Sequence, residues 1–232
     1  MSKKQILVIG AILLLLLGAG IAWYVHSSAP TDLTAASTTA SGDSVTADDH
    51  VMGSAKAPLT IIEYFAQACS YCAAFDQNAF PQLKAKYIDT GKVRYVMRLF
   101  PLFPIDGPSY KLDMCVPKDQ FFQATDLLFR NQAEWDSGEF PVTDPHAGLI
   151  RMARIMGLSP EQADACMNSK KYDDAINKVA QDATTRYSPS GTPTFVVDFK
   201  KTDLNFDPRD PQGSWQKIQA AIDAALAAKG VK

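Results

Sequence analysis

Two cysteines at C-x-x-C spacing, set between a strand-like run and a helix-compatible run, constrain this chain more than any other feature. Leu59 to Phe65 is apolar at nearly every position, Cys69-Ser70-Tyr71-Cys72 follows, and Ala73 to Gln77 suits a helix. Thiols so placed can close on each other or capture a sulfur of another protein. The first falls at a helix N-terminus, where unpaired backbone N–H groups and the helix dipole favour an anion. That favours the thiolate, the species that performs disulfide exchange. The same spacing also serves half a zinc site or a purely structural disulfide. Cys115 and Cys166 stand far apart and form no second C-x-x-C, so no metal and no other cofactor is expected.

The N-terminus sets the compartment. Lys3 and Lys4 precede an uncharged apolar run from Ile6 to Val25, of about 20 residues, long enough for a helix to cross a bilayer core. The lysines should stay cytoplasmic, with Trp23 and Tyr24 at the interface, so the rest faces outward. A cleaved signal peptide is the alternative. The length of the run, and Pro30 directly after the weak small-residue site Ser27-Ser28-Ala29, favour an uncleaved single-pass anchor over residues 1–26. Either reading places the body where disulfides persist. Residues 27–48 are rich in Ser, Thr, Ala and Asp. They cannot bury enough surface to offset their ordering entropy and read as a flexible tether without heptads. The remainder, 49–230, is enough for one domain with a substantial core. A net charge of −2 gives no basic footprint for nucleic acid.

Within the domain, Leu59–Phe65 reads as a central strand buried on both faces. Glu63 interrupts it: either the strand is an edge with Glu63 in water, or Glu63 is a proton acceptor beneath the dithiol, its pKa raised by desolvation. One helix should run from Cys72 to about Asp89, kinked at Pro81 and ended by Gly91. Lys92 to Leu99 alternates as a strand. A helical stretch over about 105–187 follows. Phe121, Phe122, Leu128 and Phe129 recur at helical spacing. Asp144-Pro145 is an N-cap with proline at the first helical position, and Ser159 with Gln162 forms a capping box. Tyr172, Ile176, Val179 and Ala183 make another amphipathic face. Cys115 and Cys166 bracket much of this stretch. They bond to each other, remain buried thiols, or leave Cys115 as a secondary redox partner. A bond closing so long a loop would contribute on the order of 4 kcal/mol in the chain-entropy model. Gly191 and Pro193 shape a tight turn into the strand Thr194 to Val197. Ser214 should cap a last helix bearing Trp215, Ile218, Ile222 and Leu226.

The order strand, Cys-Ser-Tyr-Cys, helix, strand, helical block, Gly-Thr-Pro-Thr-Phe strand, helix resembles the DsbA-like thiol–disulfide oxidoreductases of the thioredoxin superfamily. The likeness covers roughly Asp49 to Ala228. It rests on Ala57-Pro58, the cysteine pair, Val93 to Val96 leading to Phe100-Pro101-Leu102, and Gly191 to Phe195. The resemblance implies an α/β thioredoxin-like fold with an inserted helical domain, here preceded by an N-terminal transmembrane helix. It also implies a cis proline at Pro193 facing the cysteines. Glu63 matches the family's buried acid, and Cys115 with Cys166 match a second disulfide of some members. Ser70-Tyr71 replaces the Pro-His of the best-known members, and Thr192 before the proline is shared with reductases and isomerases.

The resulting expectation is a monomeric protein-disulfide oxidase facing the periplasm. Cys69 is the exposed nucleophile, Cys72 the buried partner, Glu63 the proton manager, and Thr192 with Pro193 the substrate-holding turn. Its partners would be cysteine-containing client proteins and a membrane quinone-linked oxidase, or a reducing partner. The rivals are a reductase or isomerase of the same fold and a non-catalytic module that holds extended peptides.

Overall fold

The computed structural model describes residues 44–202, 204 and 206–231. The expected anchor and most of the tether lie outside them. Among the described residues, no helix is long and apolar enough to cross a membrane.

A five-stranded sheet organises the chain: β1 (His50–Met52), β2 (Leu59–Phe65), β3 (Val93–Leu99), β4 (Thr194–Val197) and β5 (Lys200–Thr202). Their spatial order is β1-β3-β2-β4-β5. β2 lies at the centre, parallel to β3 and antiparallel to β4. Its near-continuous apolar composition follows from covering both faces. Leu59, Ile61 and Phe65 face one core with Phe75, Trp215, Ile218 and Ile222. Ile62 and Tyr64 face another with Val96, Ala183, Tyr187 and Val196. The edge-strand alternative for Glu63 therefore falls. β1 and β5 escaped the sequence reading because each is three residues long, too short for an alternating pattern to register.

The helix that follows the cysteine motif is shorter than expected. α1 (Ser70–Asn78) stops at Ala79, and α2 (Phe80–Leu83) restarts with Pro81 in its first turn. A wider turn, Lys84–Ile88, completes the segment. Proline is tolerated in a first turn but disrupts a helix interior, so the chain breaks ahead of Pro81 rather than kinking at it.

Six α-helices stand between β3 and β4: α3 (Asp106–Asp113), α4 (Phe121–Arg130), α5 (Gln132–Trp135), α6 (Pro145–Ile155), α7 (Pro160–Met167) and α8 (Asp173–Tyr187). Asp144 caps α6 by accepting from Ala147 N at 2.9 Å. Ser159 and Gln162 form a reciprocal box at the start of α7. These helices share a core of Leu112, Leu128, Trp135, Leu149, Met152 and Ala163. Gly148 permits the tightest approach: a Cβ there would run into the Glu134 carbonyl and lie 2.7 Å from Trp135 Cα. A disulfide joins Cys115, just past α3, to Cys166 in α7, with Cα atoms 6.3 Å apart. The last helix, α9 (Pro211–Ala228), begins earlier than expected. Asp210 caps it by accepting from Gly213 N at 3.0 Å, with Pro211 at its first position. Ser214 Oγ instead accepts from Asp207 N at 2.9 Å and pins the preceding loop.

Candidate active site

Sheet topology brings two distant turns together. β4 runs antiparallel to β2 with Tyr64 opposite Thr194. The turn that enters β4 therefore lies beside the one that leaves β2. The first is Gly191 to Pro193, shaped by a 2.7 Å bond from Thr194 Oγ1 to Gly191 O. The second ends at Cys69. The Thr192–Pro193 peptide is cis, and the Thr192 carbonyl lies 3.2 Å from Cys69 Sγ.

Cys69 is the N-cap of α1, and its sulfur accepts the Cys72 N–H at 3.4 Å. An acceptor there meets one of the donors that every helix leaves unpaired at its start. Cys69 and Cys72 are unbonded. Cys69 is less open than expected: 7% of its surface is accessible, against none for Cys72. The proline turn lies across it, leaving a narrow window.

The two thiols are driven apart in acidity. Hydrogen bonding with Cys72 lowers the Cys69 thiol to about 6 against the cost of burial, aided by Thr192 and the N–H groups of Cys72 and Tyr71. The Thr192 hydroxyl is buried and has no hydrogen-bond partner. Burial, the neighbouring Cys69 sulfur and then Glu63 push Cys72 well above the ordinary thiol range. At neutral pH one sulfur is an anion and the other keeps its proton.

Glu63 is completely enclosed, and burial raises its carboxyl to about 8 although a hydrogen bond from Tyr95 opposes the rise. The Tyr95 hydroxyl donates to Glu63 Oε2, while Oε1 has no partner. Glu63 shares its β2 face with Ile61 and Phe65, the face toward α1, and its charge is felt at Cys72. Tyr95 was legible only as an apolar position of β3. It lies opposite Ile61, one same-face step from Glu63, within reach of a long side chain.

The remaining expected positions lie at the rim. Ser70 Oγ donates to Glu139 Oε1 at 3.0 Å, and Tyr71 is exposed. Cys115 and Cys166 belong to the helical insertion and not to the site. A separate cavity of about 520 Å3, lined by residues including His50, Tyr110, Met114 and Tyr172, contains neither Cys69 nor Cys72. Among the described residues, no group of three or more His, Cys, Asp or Glu side chains could hold a metal ion.

Known proteins resemble this chain in sequence and fold. A family model described as Thioredoxin matches residues 45–224. A Rickettsia typhi protein provisionally named as a protein-disulfide oxidoreductase is 31% identical over 77% of this chain. The chain spans 62% of that relative's length. The crystal structure of Wolbachia pipientis alpha-DsbA1 superposes with a TM-score of 0.65 at 27% identity, covering 78% of this chain and 92% of that one. BdbD from Bacillus subtilis, at 22% identity and a TM-score of 0.63 over 77% of this chain and 93% of its own, shares the fold. With the cysteine motif capping its helix beneath a cis-proline turn, the chain belongs to the thioredoxin family and is similar in structure to its DsbA members.

Proposed function

We propose that this protein oxidises pairs of cysteines in client proteins outside the cytoplasm. The observation that carries the reading is the pairing of a depressed Cys69 with a raised Cys72 at one helix start. In the oxidised form a client thiolate attacks Cys69 Sγ. The Cys69–Cys72 bond breaks and Cys72 leaves with the electron pair. Glu63, protonated at neutral pH because burial raises it, supplies the proton that Cys72 takes up. A second client thiolate then attacks the client sulfur of the mixed disulfide and expels Cys69 as a stabilised thiolate. The client loses two electrons and gains a disulfide, and the enzyme is left as the dithiol. A good leaving group makes the second step favourable, which is why a low Cys69 pKa suits oxidation.

Thr192 and Pro193 hold the client. With the Thr192 carbonyl beside the nucleophile, an extended segment can pair with the turn as a short added strand. A membrane quinone-linked oxidase restores the disulfide. The extracytoplasmic placement is supported by Lys3, Lys4 and the apolar run after them. The Cys115–Cys166 disulfide supports it too, since such bonds persist in oxidising compartments.

Thr192 before the proline favours a second reading, a reductase or isomerase. The reduction potential of the Cys69–Cys72 pair, equilibrated against glutathione, separates the two. A value near about −120 mV marks an oxidant and one near about −270 mV a reductant. A Cys72→Ser variant incubated with a client peptide disulfide should accumulate a mixed disulfide on Cys69. Full oxidase activity in a Cys69→Ser, Cys72→Ser double variant would leave only a peptide-holding module.

A further inference from the structure

Consecutive backbone groups leading into Cys69 are held by side chains of the helical insertion, not by the sheet. Gln132, in α5, places Nε2 2.8 Å from Gln67 O and 3.2 Å from Cys69 O, one amide hydrogen for each. Asp106, at the start of α3, accepts from Ala68 N at 2.7 Å through Oδ1. Its other oxygen accepts from Leu102 N at 2.8 Å and Phe103 N at 2.7 Å. Both side chains are buried, Gln132 at 4% exposure and Asp106 at none.

The groups they hold fix the Gln67–Ala68 peptide, one step before Cys69, and the carbonyl of the peptide that follows it. With the Cys69 N–H bonded to Ala66 O at 3.2 Å, they frame its φ of −86° and ψ of 113°. Those dihedrals turn Sγ back toward Cys72 N. A packing role would not need two donors aimed at two carbonyls of one loop; a leucine fills the same space. Without the amide, Gln67 O loses its donor while Cys69 O keeps the Ala73 N–H at 3.1 Å, and the loop gains by rotating the Gln67 carbonyl toward water or another donor. Such a rotation carries Sγ off the helix start.

We infer that Gln132, aided by Asp106, is a positioning residue that holds Cys69 in the geometry that stabilises its thiolate. The inference rests on the reading of Cys69 as the activated nucleophile. It makes the insertion part of the reactivity of a sulfur carried by the sheet domain. Trp135 supplies the comparison. It sits in the same short helix and donates Nε1 to Leu128 O at 3.0 Å, a bond internal to the insertion.

The test is the pH dependence of iodoacetamide alkylation of Cys69 in the reduced, full-length protein. Wild type should titrate near 6, as its depressed thiol requires. Gln132→Leu should move the midpoint upward by about one pH unit, the scale of losing hydrogen bonds to a charged form. Gln132→Met, unbranched and without a donor, gives a second reading if the leucine variant does not fold. Trp135→Phe should lower the thermal midpoint while leaving the titration in place. Gln132 variants that titrate with wild type overturn the inference, as does a Trp135→Phe shift of equal size. A wild-type midpoint near about 8.5 would overturn the nucleophile reading itself.

Discussion

At the scale of single residues, the site separates charge by burial. Cys69 and Cys72 are chemically identical and lie in one helical turn, yet one is held as an anion and the other as a thiol. A low-pKa Cys69 and a more buried Cys72 were the expectation, because a thiol at a helix start meets unpaired backbone N–H groups. What was not legible is how little of Cys69 is exposed and that Tyr95 reaches Glu63. Both depend on elements distant in the chain, the proline turn and β3. Glu63 gives a pH signature. Its folded pKa of about 8 lies above its unfolded value, so between about 4.5 and 8 the unfolded chain binds fewer protons than the folded one, and stability falls as pH rises through that window. Asp76, raised to about 8 mainly by burial and then by Asp126, adds a slope of the same sign. Glu63→Gln keeps an acceptor for the Tyr95 hydroxyl and removes the ionisation. Urea unfolding at several pH values should show a flatter decline in the variant; an unchanged slope would mean that Glu63 does not titrate in this range.

At the scale of elements, the strands and helix caps were the readable part. β2 and β3 follow from composition and alternation, and the caps at Asp144 and Ser159 follow from local chemistry that tertiary contacts do not override. The segment after Cys72 was misjudged because Pro81 was read as a kink in one helix rather than as a start of the next. The α5–α6 crossing could not be read at all, since Gly148 shows no local turn signal and works only through what it faces. Gly148→Ala should cost about 1–3 kcal/mol from overpacking against the Trp135 backbone. Denaturant unfolding checks this. A loss below about 0.5 kcal/mol, the range of an unremarkable surface change, would mean that the two helices move apart at little cost.

At the scale of the whole molecule, the sheet domain supplies the sulfurs and the facing proline, while the insertion folds around its own core and reaches back to the loop that carries Cys69. The insertion was visible as a block of amphipathic helices, but its grip on that loop was not. Gln132 and Asp106 carry no motif, and their partners are backbone atoms. The reduced and oxidised forms of the molecule should differ in stability in a pH-dependent way. A depressed thiol stabilises the reduced fold once pH exceeds the unfolded thiol value, and this gain fades as pH falls toward about 6. Carboxylates that titrate alike in both forms cancel in the comparison. Raising the pH from 6 to 8 should therefore favour the reduced form over the oxidised by on the order of 2 kcal/mol, measured as the change in the gap between their unfolding free energies. A gap that does not move with pH would contradict it. The most direct measurement is the thiolate absorbance of the reduced protein followed from acid to alkaline pH, with the oxidised protein as the blank. The account predicts one thiolate appearing with a midpoint near 6, assigned to Cys69 by its loss in Cys69→Ser, while Cys72 stays protonated well into the alkaline range. Two thiolates rising together near about 8.5, as in an unfolded chain, would contradict it.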